Sequence, residues 1–162
     1  MSGKLSVVAT PIGNLEDITL RALRTLKECD AVLCEDTRVT KKLLARYDIH
    51  TPTRAFHAHS GKGLYEKIAT ELDAGAHLAL VTDAGTPAIS DPGAYLVEVV
   101  RRDSPSTVIE AIPGASSVSA ALSIAGVPSD SYTFLGFLPH KKGRKTTLDL
   151  LTELDGTVAT SD

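Results

Sequence analysis

Two adjacent carboxylates stand beside a hydroxyl and a guanidinium, Glu35-Asp36-Thr37-Arg38, in this sequence of 162 residues. Paired carboxylates next to a cation are costly to place, and such groups recur where protons move or a substrate is oriented. The same residues also read as a helix start with Asp36 or Thr37 as N-cap, and both readings stand. The stretch TDAGTPAISDPG, Thr82 to Gly93, packs two prolines, two glycines and two aspartates. Within it Gly85, Thr86 and Pro87 let the backbone turn sharply and approach a ligand with free N–H and C=O groups. Pro113-Gly114-Ala115-Ser116-Ser117 opens a helix, and its hydroxyls serve either as cap or as ligand contacts.

Two further groups have a plain reading beside a chemical one. His57 and His59 are a metal pair or a solvated strand end, and the second fits better because no Cys or carboxylate stands close by in sequence. His140-Lys141-Lys142-Gly143-Arg144-Lys145 is the one dense basic cluster, either a solvated loop or a contact to nucleic-acid phosphates. No GxGxxG follows the first strand, Ser60-Gly61-Lys62-Gly63 lacks the rest of a P-loop, and there is no GxSxG elbow.

The elements that must position these groups alternate between strand and helix. Strands are expected at LSVVAT, DAVLCE, TRAFH, AHLALV and TVIEAI. The helix LRALRTLKEC has Leu20, Leu23 and Leu26 at helical spacing, with Thr19 as N-cap. The helix after EDTR turns Leu43 and Leu44 inward, and GLYEKIATELDAG closes on Gly75 as its C′ residue. AYLVEVVRR is helical, and PGASSVSAALSIAG is a small-residue helix expected to pack in the core against the sheet. Continuous apolar strands separated by helices define an α/β fold, a mostly parallel five-stranded sheet flanked by helices.

Every candidate group named above follows a strand, whereas LDAGAH and RRDSPS at the opposite ends read as plain turns. Ligands in open parallel sheets bind beyond the carboxyl ends of the strands, so this asymmetry marks the working edge. Near Gly126 the rhythm changes: VPSD reads as a linker, then SYTFLGFLP as a strand, TTLDLLTEL as a helix and GTVAT as a strand. The expected division is 1–125 for the main domain and 126–162 for the linker and incomplete start of a second α/β domain.

Apolar residues make up 43% of the chain, charged residues 23% and aromatics 4%, so the core must be aliphatic. A net charge of −3 argues against binding nucleic acid over the whole surface and leaves room only for a local basic patch. Neither a secretory pattern nor an apolar run long enough for a membrane span is present. Cys29 and Cys34 form no disulfide framework or zinc spacing, so a reduced, cytoplasmic protein away from membranes is expected.

Five stretches in order, ATPIGNLEDITLRA, CEDTR, TDAGTPAISDPG, IPGASS and FLGFLPHKKGRK, resemble the bacterial 16S ribosomal RNA cytidine 2′-O-methyltransferases of the tetrapyrrole methylase superfamily. The likeness runs from about Leu5 to Leu151, and ATPIGNLEDIT with EDTR points to the RNA-modifying branch. It implies a two-domain homodimeric enzyme that binds S-adenosylmethionine (SAM) between its domains. The implied reaction is methylation of the ribose 2′-OH of a cytidine in 16S rRNA of the small ribosomal subunit.

By the same resemblance, SAM contacts fall on Pro11, on Gly85, Thr86, Pro87 and Ile89, and on Ser116 and Ser117, with no metal expected. The sulfonium is a cation, so a loop offering carbonyls suits it better than a phosphate nest, in keeping with the missing GxGxxG. A 2′-OH is a poor acid and needs a base or acceptor. Glu35 and Asp36 are the candidates, with Asn14 and Arg38 orienting substrate and Lys141, Lys142, Arg144 and Lys145 meeting RNA phosphates.

Ala88 stands where the family more often has Gly, and Ala115 where Pro is common. The family pattern continues past Gly156-Thr157-Val158 into a full second domain, whereas the sequence given ends in ATSD. The expectation is therefore a truncated form that lacks half of the SAM pocket and has weak activity or none. Two alternatives are carried: another methylase of the superfamily acting on a tetrapyrrole or small substrate, and a non-catalytic SAM-binding or dimerisation domain.

Overall fold

A computed structural model describes residues 2–57, 61–91, 93–139 and 143–161. The chain divides into two compact units, Met1–Ala115 and Ser116–Asp162. The sequence pattern places the boundary at 125/126, and the helix that starts at Ser117 groups by its contacts with the second unit.

The first unit holds strands β1 (Lys4–Val8), β2 (Ala31–Cys34), β3 (Thr53–Ala55), β4 (His77–Leu80) and β5 (Val108–Ile112). All four pairings are parallel and the order is β3-β2-β4-β1-β5. Helices α1 (Leu20–Glu28), α2 (Thr37–Arg46), α3 (Lys62–Asp73) and α4 (Gly93–Asp103) make the connections. The strands are buried on both faces, so their side chains alternate between two apolar cores rather than between core and water. Leu5, Leu33, Leu78 and Leu80 meet Ile68, Leu72, Leu96 and Val99 of α3 and α4. Val8, Val32, Ala79 and Val81 meet Ala22, Leu26 and Leu44 of α1 and α2.

That division of helices follows from handedness. From β1 through β2 to β3 the chain steps one way across the sheet, and from β3 through β4 to β5 it steps the other way. Right-handed crossovers in opposite directions must place their helices on opposite faces. The loops after β1 and β4, neighbours in the sheet, therefore leave in opposite directions, and the gap between them is the topological switch point.

Local signals work as the residue types dictate. Ala22 N–H donates to Thr19 Oγ1 (3.1 Å) at the start of α1, and Gly75 closes α3 with φ 98°. Leu43 and Leu44 are buried as expected. Leu20 is not: it is 86% exposed. The inward stripe of α1 runs instead through Ala22, Thr25 and Leu26, with Leu23 half-buried at its edge against the same core.

The second unit contains α5 (Ser117–Ala125), β6 (Tyr132–Phe137), α6 (Arg144–Glu153) and β7 (Thr157–Ser161). β6 and β7 pair in parallel, with Tyr132 opposite Thr157. The expectation that α5 packs into the core is corrected: none of its residues is buried, and Ile124 is 87% exposed. Small apolar residues make α5 fit for close packing, but composition does not supply the partner.

Candidate functional site

The loop after β1 and the loop after β4 are joined directly. Thr10 N–H donates to Gly85 O (2.9 Å) and Gly85 N–H donates back to Thr10 O (3.1 Å), a lone antiparallel bridge across the switch point. Thr10 Oγ1 adds a bond to Thr82 O at 3.1 Å. Gly85 has φ 85°, a conformation that costs any residue with a Cβ. Space is not the constraint there, since a Cβ would meet only Ile12 Cγ2 at 3.5 Å. The loop after β5 arrives close by: a Cβ on Gly114 would lie 3.0 Å from Ala9 Cβ.

Past Gly85 the β4 loop is held in a strained form. Ala88 (φ 68°) and Ser90 (φ 61°) both adopt the left-handed conformation, which costs a non-glycine residue about 1–2 kcal/mol. This gives the Ala88 position a physical meaning, because glycine would adopt that φ freely. Asp91 holds the loop in compensation: its Oδ1 accepts from Ala88 N–H (2.8 Å) and from Gly93 N–H (2.7 Å), the latter at the start of α4. Asp91 Oδ2 is buried with no hydrogen-bond partner among the described residues. Gly85 and Pro87 are buried, whereas Thr86 and Ile89 are exposed on the rim.

The two candidate carboxylates after β2 have different surroundings. Asp36 is the N-cap of α2, accepting from Arg38 N–H at 2.8 Å. Its carboxylate also takes the Arg38 guanidinium in a forked pair, Nη2 to Oδ2 at 2.6 Å and Nε to Oδ1 at 3.0 Å. The hydrogen bonds from Arg38 pull the Asp36 carboxyl down to about 2. Glu35 moves the other way: burial raises its carboxyl, and the nearby charges of Asp91 and Asp83 add to the rise while His57 opposes it. Asp36 N–H donates to Asp83 Oδ1 (3.2 Å), which ties the β2 loop to the β4 loop.

Asn14 sits beyond β1 and its Oδ1 accepts from Glu16 N–H (3.1 Å), capping the short 3-10 turn Leu15–Asp17. Tyr47 Oη donates to Leu15 O at 2.5 Å, anchoring that turn to the end of α2. Between the two lies a slot of about 190 Å³ lined by Thr10, Pro11, Leu15, Val39, Leu43 and Asp83 among others. The sequence reading missed this slot, since its wall comes from α2, whose apolar residues at that point look like ordinary core.

Most of the remaining candidates belong to the second unit. Ser116 caps α5, accepting from Ser119 N–H at 3.4 Å, and Ser117 is the first helical residue. Arg144 and Lys145 open α6, whose N-cap Gly143 gives no side-chain cap. Cations at the positive end of a helix oppose its dipole, an arrangement that concentrates positive potential where an anion is well received. Lys141, Lys142 and His59 lie outside the described residues. No helix among the described residues is long and apolar enough to cross a membrane.

Comparison with known proteins fits this architecture. Residues 4–160 match the family of tetrapyrrole (corrin/porphyrin) methylases, and the chain belongs to that family. It is 47% identical to the ribosomal RNA small subunit methyltransferase I of Halalkalibacterium halodurans, over 91% of this chain and 50% of that protein. With the protein of the same name from Mesorhizobium japonicum it shares 51% identity, over 88% of this chain and 48% of the other. The chain thus spans about half the length of these curated relatives. Among solved structures, diphthine synthase superposes with a TM-score of 0.72 at 13% identity, covering 99% of this chain and 64% of that one. A cobalt precorrin-4 methyltransferase gives 0.63 at 22% identity, covering 86% and 59%. Likenesses this remote in sequence establish the fold alone.

Proposed function

We propose that this chain is the N-terminal part of a SAM-dependent methyltransferase that modifies the ribose 2′-OH of a cytidine in 16S rRNA. The observation that carries the reading is the 47–51% identity, over 88–91% of this chain, to proteins named for ribosomal RNA small subunit methylation. SAM, when bound, supplies an electrophilic methyl on a sulfonium. The chemistry of the β4 loop suits that cation: Glu35 and Asp91 place negative charge beside it, and the exposed Thr86 and Ile89 leave its rim open. In this proposal Gly85, Thr86, Pro87 and Ile89 hold the cofactor, with Pro11 on the β1 loop. Ser116 and Ser117 join them on the resemblance alone.

Methyl transfer is an in-line displacement in which the ribose oxygen bonds to the methyl carbon as the carbon–sulfur bond breaks, and the hydroxyl proton must leave. Glu35 is the acceptor for that proton. A carboxylate raised by burial holds a proton more readily than an ordinary one, which is what a general base needs. Asp36 is unsuited, because its oxygens are engaged by Arg38 and its carboxyl lies at about 2; its part is to fix Arg38 and the start of α2. Arg38 and Asn14 orient the substrate, and Arg144 and Lys145, with Lys141 and Lys142, meet the phosphate backbone. A homodimer in the cytoplasm belongs to the same proposal, with size-exclusion chromatography as the check on assembly.

The test is methyl transfer to small ribosomal subunits across pH. Glu35→Gln should lower the rate about 100-fold or more. The parent rate should climb with pH through a value above the ordinary glutamate range, and that limb should vanish in the variant. Asp36→Asn should keep the limb. A Glu35→Gln variant within a few-fold of the parent removes Glu35 from the reaction.

A further inference from the structure

We infer that the slot between the β1 loop and α2 is the pocket for the target nucleobase, and that Asp83 on its rim reads the base as cytosine. The inference rests on the RNA-methyltransferase reading above and goes beyond it by naming the subsite and the residue that selects the base.

Size comes first. At about 190 Å³ the slot is smaller than the roughly 300 Å³ and upward typical of pockets for drug-sized ligands. Such a slot has room for one small ring. Its walls are apolar where a ring would lie, from Pro11, Leu15, Val39 and Leu43. RNA-binding proteins that read sequence take splayed-out single bases into such pockets and hydrogen-bond their Watson–Crick edges.

The rim supplies the edge contacts. Asp83 is exposed and one oxygen, Oδ1, accepts from Asp36 N–H. Oδ2 has no hydrogen bond among the described residues and is open to accept. Lys42, also on the rim, is exposed and forms no ion pair among the described residues. A carboxylate takes the N4 amino group of cytosine, and an ammonium takes the adjacent ring acceptors. Uracil presents a carbonyl where cytosine presents that amino group, so the same carboxylate repels it.

Position joins the two ends of the substrate. Asp83 belongs to the β4 loop, bonds the β2 loop at Asp36, and lies near enough to Glu35 to raise its carboxyl. A base seated against Asp83 thus brings its ribose to the neighbourhood of Glu35.

The experiment uses the 162-residue chain, SAM, and two RNA oligonucleotides that differ only in cytidine or uridine at the target position. Binding is read by fluorescence anisotropy, and SAM binding by calorimetry. The parent should favour cytidine by about 5- to 150-fold. Asp83→Asn, whose amide donates to a carbonyl, should bring the ratio to near unity or invert it. Val39→Trp, which fills the slot from a wall residue that is already 38% exposed, should erase the preference while SAM affinity stays within about twofold. A parent ratio near unity, or an unchanged ratio in Asp83→Asn, overturns the inference and leaves the methyltransferase reading intact. Loss of SAM heat in Val39→Trp with the RNA preference retained assigns the slot to the cofactor, which also overturns it. Absence of RNA binding by a parent that binds SAM overturns both the inference and the RNA substrate.

Discussion

The first unit buries a large aliphatic core, and the second buries almost none of its apolar side chains. In unit one, Leu5, Leu26, Leu72, Leu78 and Leu96 are wholly inaccessible. In unit two, Gly136 is the one buried residue among those described, while Ile124, Phe137, Tyr132 and Val127 lie open. Both units nonetheless form regular helices and strands with caps. Secondary structure is written locally, whereas burial depends on having another face to pack against. Two strands and two helices do not supply enough such faces.

The sharpest way to break this contrast is to delete equivalent apolar mass in each unit. Leu78→Ala, in a strand packed on both faces, should lower unfolding free energy by about 2–5 kcal/mol in urea denaturation. Ile124→Ala should change it by no more than about 0.5 kcal/mol, the range of exposed positions. A loss well above that at Ile124 would mean that the α5 face is covered in solution, and the contrast would fail.

Caps give a second, smaller comparison. Thr19→Ala removes a 3.1 Å cap bond at α1 and should cost about 1 kcal/mol. Ser116→Ala removes a 3.4 Å bond at a helix with no buried residue and should cost less than half as much in the same denaturation assay. Equal losses would show that α5 contributes to stability as α1 does.

The smallest effect is a pH dependence confined to the first unit. The folded Asp36 carboxyl lies at about 2, below its ordinary 3.8. A depressed carboxyl adds stability that is present above the ordinary value and fades as pH falls from 3.8 towards 2. Asp36→Asn should therefore flatten that part of the acid limb in thermal melts and leave the melting temperature relative to the parent independent of pH above about 5. The pair with Arg38 is solvent-exposed, so the shift should be modest and shrink in high salt.

Much of the site was legible because turn chemistry is short-range. Gly85 is demanded by its own φ, Gly75 by the end of its own helix, and Thr19 by the three residues that follow it. The polar loops that follow each strand at one end were legible too, since the strands run parallel. Glu35 and Asp36, by contrast, are indistinguishable in sequence as candidate bases. One is fixed by Arg38 two residues away, and the other is raised by burial and by Asp83 and Asp91 on another loop. The α5 expectation failed for the complementary reason: composition states what a helix can pack against, and not whether anything is there.

Sequence by itself determined the alternation of strand and helix and the caps, because each rests on interactions within a few residues. Tertiary structure alone decided the order β3-β2-β4-β1-β5, the bridge between Thr10 and Gly85, the unequal carboxylates and the slot beside α2. Those features arise from backbone bonds and burial between segments some seventy residues apart along the chain, and no local propensity specifies which strand will lie beside which.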